Sequence, residues 1–244
     1  MAITPRPPET ERDALELAAA LEDRHGDRPA AAIVALAVER FGPAGLAAVS
    51  SFGADSAALL HMVAAVEPGL PVIFLDTGQH FGETLAYRDR LAADLGLTDL
   101  RIEAPRPAAL AKGDPDGRLH ARDPDACCAL RKVEPMARAV APFHAWFTGR
   151  KRHQAESRRA MPVFEAVGPR LRINPLARWT TADQAAYMRR HGLRENPLVA
   201  FGYASIGCFP CTEPAGPDTR DGRWAGRAKT ECGIHLGGLA GALS

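Results

Sequence analysis

The chain has 244 residues, 46% of them hydrophobic and 24% charged, with a formal net charge of +1. That balance belongs to a globular protein with a substantial core, and no apolar run approaches the ~20 residues needed to cross a bilayer, so no membrane-spanning helix is expected. So small a net charge also argues against a nucleic-acid-coating surface, although basic residues cluster locally.

Residues 1 to 8 read as a proline-rich tail with no apolar signal core, and the expected location is the cytoplasm. Glu11 to Arg24 carries Leu15, Leu17, Ala18 and Leu21 at helical spacing, and a second helix runs from about Pro29 to Arg40 and stops at Gly42-Pro43. Gly45 to Ser50 is a buried strand, Ala57 to Val66 a helix, Pro71 to Leu75 a second buried strand, Glu83 to Leu95 a helix and Leu100 to Glu103 a third strand. This alternation predicts an α/β fold with a parallel-rich central sheet and right-handed crossovers.

Pro105 to Asp125 is polar and rich in proline and glycine, and reads as a long loop or lid with little regular structure. Cys127 to Val140 reads as helix, His144 to Thr148 as a fourth strand and Arg172 to Leu176 as a fifth. Thr180 or Thr181 caps a helix through Arg190, which Gly192 ends. From Asn196 onward periodicity is lost, and this loop-built region carries three of the five cysteines. The expected organisation is an N-terminal tail and helix over 1–28, an α/β domain over 29–200 and a cysteine-bearing segment over 201–244.

The turn Ser50-Ser51-Phe52-Gly53-Ala54-Asp55-Ser56 joins the first strand to the next helix. Free N–H groups and the helix dipole favour a phosphate at such a turn; glycine permits close approach and serines add hydroxyl donors. The run is neither G-x-x-x-x-G-K-S/T nor G-x-G-x-x-G, so a kinase-type P-loop or a Rossmann fingerprint is not supported. It does lie at the C-terminal end of a strand, where ligands bind in open α/β sheets.

The five cysteines divide into adjacent Cys127 and Cys128, the C-x-x-C pair Cys208 and Cys211, and Cys232 alone between Lys229 and His235. In a reducing compartment, paired cysteines more often signal metal binding or redox catalysis than disulfides. Four make a set of metal ligands and the fifth is left to act as a nucleophile. Cys208 and Cys211 lie in a loop, the setting for half a zinc or iron–sulfur site, and no strand-to-helix frame supports a thioredoxin-like pair. Adjacent side chains on a helix diverge by about 100°. That suits one small tetrahedral zinc ion poorly and the separate iron corners of a cubane better; cluster, zinc and unmetallated thiols stand as readings in that order.

Arg150, Lys151, Arg152, Arg158 and Arg159 follow the fourth strand, and Arg220, Arg223, Arg227 and Lys229 precede Cys232. Charge runs are usually solvated faces. These adjoin glycines at strand ends and loops, where guanidinium forks can hold phosphate and sulfate oxygens. Cations beside Cys232 would also lower its pKa and supply thiolate.

The Ser-Ser-Phe-Gly-Ala-Asp-Ser-Ala run resembles the pyrophosphate loop of the adenine-nucleotide α-hydrolase (PP-loop) superfamily, in the form found in its sulfonucleotide reductase branch. Phe74-Leu75-Asp76-Thr77-Gly78 stands where that superfamily contacts adenine and ribose. Cys127-Cys128-Ala-Leu-Arg-Lys132 with Cys208-Phe-Pro-Cys211 is similar to the 4Fe-4S-binding pattern of assimilatory adenylyl-sulfate (APS) reductases, which reductases of the 3'-phosphorylated nucleotide (PAPS) usually lack. Lys-Thr-Glu-Cys-Gly-Ile-His resembles the family's most specific signature. Gly149 to Gln154 and Gly222-Arg223-Trp224 also look like family segments. Ala155 departs from an expected serine, which leaves Arg158 and Arg159 competing for one arginine role.

The resemblance implies a PP-loop nucleotide-binding domain that reduces APS to sulfite and AMP through a Cys232 S-sulfonate. It implies nucleotide contacts from Ser51, Phe52, Gly53, Ser56, Leu75, Thr77, Gly149 and Arg159, and a sulfate site among Lys132, Arg220, Arg223 and His235. It implies a 4Fe-4S cluster on Cys127, Cys128, Cys208 and Cys211 that supports the site and tunes its charge, and thioredoxin or a glutaredoxin-like donor as reductant. No nucleic acid or membrane partner is expected, and homo-oligomerisation is left open. The competing readings are PAPS reduction, a zinc-containing PP-loop enzyme that uses ATP to thiolate tRNA, and a non-catalytic metal-binding module.

Overall fold

The computed structural model describes residues 8–215, 222–224, 229, 231–235 and 239. Helix α1 (Glu11–His25) opens on a capping box in which Thr10 and Asp13 satisfy each other's backbone N–H groups. Helix α2 (Ala30–Gly45) is kinked at Gly42, as the Gly42-Pro43 stop signal predicts. Strand β1 (Leu46–Val49), helix α3 (Ser56–Val66), strand β2 (Val72–Leu75), helix α4 (Gly82–Leu95) and strand β3 (Leu100–Glu103) then alternate. Three short helices follow, α5 (Pro107–Gly113), α6 (Leu119–Arg122) and α7 (Pro124–Cys128), and a π turn at Ala129–Val133 continues α7 into α8 (Glu134–Val140). Strands β4 (Ala145–Phe147), β5 (Phe164–Val167) and β6 (Arg170–Ile173) precede helix α9 (Thr181–Arg190).

The six strands form one sheet in the order β3-β2-β1-β4-β6-β5, parallel except for β5, which pairs antiparallel with β6. Side chains alternate across it with the period of two that a strand imposes. Leu46, Ala48, Val72, Phe74, Ala145 and Phe147 face one way into a core shared with α1 to α4 and α9. Ala47, Ile73, Leu75 and Trp146 face the other way, against Met136, Ala137 and Val140 of α8. Each such large apolar side chain taken fully out of water contributes roughly 1.5–3 kcal/mol, so both layers are held firmly. The strand order reverses between β1 and β4, and the crevice beyond their C-terminal ends is where an open α/β sheet binds ligands.

Two elements correct the sequence reading. The stretch from Pro105 to Asp125 is not a structureless lid; it holds α5, α6 and the start of α7. Strand β5 was absent from the sequence reading, because Phe-Glu-Ala-Val is short and carries Glu165 inward, where Arg150 and Arg172 neutralise it. The former segment is pinned rather than loose. Arg131, on the π turn, donates from Nε and Nη2 to Asp114 Oδ2 at 3.1 and 2.6 Å and from Nη1 to the Thr77 carbonyl at 2.7 Å. The Leu119 N–H donates to Asp114 Oδ1 at 2.8 Å. Although burial opposes it, the hydrogen bonds from Arg131 and Leu119 hold the Asp114 carboxyl below its usual range.

Both partners are almost wholly out of water, with 9% and 0% of their side chains exposed. Removing one leaves the other as a buried unpaired charge, which costs about 3 kcal/mol or more. Asp114→Ala is therefore expected to lower Tm by roughly 6–12 °C for a chain of this size. Calorimetry that finds Tm unchanged would show that the segment does not depend on this pair.

Candidate active site

The phosphate-type turn is built as its residues require. Ser50 turns back to accept the Phe52 N–H at 3.1 Å, Phe52 takes a positive φ of 49°, and the Ser56 N–H reaches the Gly53 carbonyl at 3.3 Å as α3 begins. A side chain at Gly53 would stand 3.3 Å from the Ile206 carbonyl, so the position accepts little beyond hydrogen without displacing the C-terminal loop. Asp55 does not cap α3. Its carboxylate instead accepts from Lys151 Nζ at 2.9 Å and Gln154 Nε2 at 3.0 Å, which leaves the first N–H groups of α3 facing the crevice.

That crevice is a cavity of about 530 Å³, open to solvent on one side. Ser51, Gly53 and Ser56 line its β1 end, Leu75 and Gly149 border it, and Lys132, Arg223, Cys232 and His235 close it opposite. The structure thus brings around one cavity nine residues that the motifs singled out from six separate stretches of sequence. Phe52 and Thr77 are placed elsewhere. The Phe52 ring is fully buried and packs edge-on to Phe74 at 5.8 Å, because its positive φ turns the side chain into the core. Thr77 is also fully buried, with Oγ1 3.3 Å from Cys208 Sγ.

Arg159 is a correction. It is exposed and pairs with Glu156 at 2.6 Å outside the cavity, whereas Arg158, one step round a 3-10 turn, lines the wall. Arg220 lies outside the described residues.

The other cysteines gather behind Cys232, which enters the cavity wall, and none of the five is in a disulfide. Cys127 and Cys128 end α7, and the π turn that follows adds a residue to the helical repeat, a distortion frequent at functional sites. The C-x-x-C loop is stitched to the end of β2: Phe209 N–H donates to the Gln79 carbonyl at 2.7 Å, and His80 and Cys208 form a β-bridge. Burial pushes the Cys127 thiol up to about 11, with Cys208 and Cys211 close enough to add to the rise. Cys128 packs against Cys232 beside Trp224. Its thiol donates to Cys232, and this bond, with the Lys132 and Arg223 cations, holds the Cys232 thiol well below its ordinary range against the opposing effect of burial.

Burial likewise opposes the charge on Lys132, but Cys208, Cys232 and Cys128 outweigh it and raise the ammonium's pKa. Among the described residues no three His, Cys, Asp or Glu side chains come together closely enough for one ion. Cys127 lies close to Cys208 and Cys211, and Cys211 packs against the Cys128–Trp224–Cys232 cluster; a donor set of four thiols suits a multi-iron group, which offers each a separate corner.

Two wall residues, Arg172 and His80, were not singled out in the sequence. Arg172 donates from Nη1 to the Ile234 carbonyl at 3.2 Å while Glu165 holds its other side, and the signal for it was a charged residue inside an otherwise apolar strand. Arg150 is engaged with Asn174 at 3.1 and 3.2 Å as well as Glu165, and burial brings its pKa down to about 10. His80 lines the cavity with Nε2 2.9 Å from the Leu75 carbonyl, while Nδ1 finds no partner among the described residues. Trp224 takes a φ of 53° and lies under the Arg223 guanidinium at 4.5 Å. A Cβ at Gly207 would stand 2.3 Å from that guanidinium, so the glycine makes room for it.

The profile of the phosphoadenosine phosphosulfate reductase domain matches residues 45–214. The adenosine 5'-phosphosulfate reductase of Chelativorans sp. (strain BNC1) is 68% identical over 242 residues, covering 98% of this chain and 97% of its own. That of Mesorhizobium japonicum is 69% identical over 201 residues, with 82% and 79% covered. Among solved structures, the phosphoadenylyl-sulfate reductase of Candida auris in its phosphate complex superposes with a TM-score of 0.69 at 29% identity, over 81% of this chain and 97% of that one. Candida glabrata FMN adenylyltransferase, with a TM-score of 0.53 at 14% identity over 84% of this chain and 75% of its own, shares the fold alone. Because the matched region takes in the phosphate turn, both cysteine pairs and the strand ends between them, the chain belongs to the phosphoadenosine phosphosulfate reductase domain family.

Proposed function

We propose that the chain is an oxidoreductase that converts adenylyl sulfate to AMP and sulfite, with electrons from thioredoxin or a glutaredoxin-like dithiol protein. The observation that carries this is the placing of Cys232, buried and held toward its thiolate, in the wall of the cavity that opens on the Ser51–Ser56 turn. The nucleotide's phosphate sits on Ser51, Gly53 and Ser56 at the N-terminus of α3, and Leu75 and Gly149 border its base and ribose. The sulfate end points to Lys132, Arg223 and His235; Arg220 belongs with them by sequence.

The Cys232 thiolate attacks the sulfate sulfur. An S–S bond forms, the bridging S–O bond breaks, and its electron pair leaves on AMP. Lys132 and Arg223 offset the charge that grows on the departing phosphate and on the sulfuryl oxygens, and do most in a site that excludes water. The Cys232 S-sulfonate is then attacked at the cysteine sulfur by a thioredoxin thiolate. Sulfite departs with the electron pair of the S–S bond, and the second thioredoxin thiol resolves the mixed disulfide, so that the dithiol is oxidised by two electrons.

Cys127, Cys128, Cys208 and Cys211 would hold a 4Fe-4S cluster, supplying a fixed charge beside Lys132 and a covalent tie between α7 and the C-terminal loop. No helix among the described residues is long and apolar enough to cross a membrane, and thiol exchange with a reduced thioredoxin suits the cytoplasm.

Anaerobically purified protein is expected to show a broad absorption near about 400 nm and about four irons per chain, as for a cubane, and to consume APS in preference to PAPS. Colourless protein with a single zinc, or turnover confined to PAPS or to ATP with tRNA, overturns the reading.

A further inference from the structure

Glu231 is an odd neighbour for a nucleophile that must approach a polyanionic nucleotide, since a carboxylate one residue from Cys232 repels that substrate unless its charge is cancelled. Arg158 cancels it. Arg158 Nε and Nη2 donate to the two oxygens of Glu231 at 2.7 and 2.8 Å, a two-pronged pair whose side chains are 5% and 4% exposed. Glu231 Oε1 also accepts the Cys232 backbone N–H at 3.0 Å, so the carboxylate that the arginine fixes in turn fixes the nucleophile's backbone.

The other side of Arg158 leads to the phosphate turn. Its Nη1 donates to Gln154 Oε1 at 2.8 Å, Gln154 Nε2 donates to Asp55 Oδ2 at 3.0 Å, and Asp55 is the last residue of the turn before α3. Lys151 braces the same carboxylate at 2.9 Å. An unbroken line of hydrogen bonds therefore runs from the turn, through Gln154, Arg158 and Glu231, to Cys232. The second anchor of the segment, Arg172 on the Ile234 carbonyl, does not contact the turn directly.

Building on the proposed attack of Cys232 on APS, we infer that Glu231 is a positioning residue that couples docking of the cysteine segment to nucleotide on the turn. A nucleotide that orders the turn fixes Asp55 and Gln154, which hold Arg158 at the angle that receives Glu231. By reciprocity, a docked segment favours a filled turn. Arg158 serves this pair in the docked state instead of binding sulfate directly.

The test uses iron-loaded enzyme, AMP as the nucleotide, and iodoacetamide alkylation of Cys232 read on its peptide by mass spectrometry. In the wild type, saturating AMP should slow alkylation by about tenfold or more. In Glu231→Gln, which keeps the shape and removes the charge, AMP should change the alkylation rate by less than about twofold, and single-turnover S-sulfonate formation from APS should fall by about tenfold or more. The double variant Glu231→Gln with Arg158→Met removes the unpaired guanidinium as well and should remain slow and unprotected. AMP protection of Glu231→Gln equal to wild type, S-sulfonate formation slowed by less than about tenfold, or recovery in the double variant overturns the inference. Wild-type enzyme that forms no S-sulfonate with APS sinks the proposed reaction instead, while AMP protection still reports on the coupling.

Discussion

Cys232→Ser is expected to abolish turnover, lowering kcat by about 10⁴-fold or more. The reason lies in the atom and its surroundings together. Cys232 is buried, and in the metal-free chain the Cys128 thiol, Lys132 and Arg223 hold it toward thiolate; with Cys128 on iron, the two cations are left to favour the thiolate. A serine hydroxyl would stay protonated in the same place. Nor could its sulfate ester be cleaved at oxygen by a thioredoxin thiolate, since that step depends on a sulfur that can accept a new S–S bond. Nucleotide affinity should change by no more than about threefold, because the phosphate turn and the Leu75 border are untouched. Single-turnover mass spectrometry on APS and a binding titration check both halves. A serine variant that still accumulates a covalent sulfo-adduct would place the nucleophile elsewhere.

The sequence carried the fold where periodicity and length agreed. The elements from Gly45 to Glu103 were legible because β1 and β2 are short apolar runs bounded by turns and the helices between the strands are longer. Strand β5 was not, since its inward Glu165 acquires a partner only through Arg172 across the hairpin and Arg150 at the end of β4. The helices between Pro107 and Cys128 were hidden for a similar reason: Asp114 and Arg131 stabilise the segment across 17 positions, beyond the reach of local propensity.

The site divides in the same way. Its motifs marked the phosphate turn, the paired cysteines and Cys232, because those chemistries need particular residue types at particular spacings. Arg158 and Arg159 are indistinguishable as residue types, and only the 3-10 turn at Glu156–Arg158 decides which of them faces inward. The Arg158 partner, Glu231, lies 73 positions further on. No local pattern announces a buried ion pair of that span.

Lys132→Met is expected to slow S-sulfonate formation by about 10²–10³-fold, the range for removing one preorganised charge from a transition state. The side chain follows Cys128 by one π turn, which swings it into the cavity wall beside Leu75 and Met136. There its ammonium answers the charge of Cys208, Cys128 and Cys232 on one side and faces the cavity on the other. During attack, negative charge leaves Cys232 and spreads over the sulfuryl oxygens and the departing phosphate. An ammonium positioned between the two ends stays near that charge throughout the step, and methionine of similar length removes only this contribution. Arg223, stacked on Trp224, remains to bind the ground state, so nucleotide affinity should weaken by about tenfold at most. Lys132 is not among the four thiols proposed to hold iron, so iron content should stay at the wild-type level; loss of iron would mean that the lysine serves assembly of the cysteine set. Full iron with a rate within about tenfold of wild type would move the transition-state charge onto Arg223 and His235 instead.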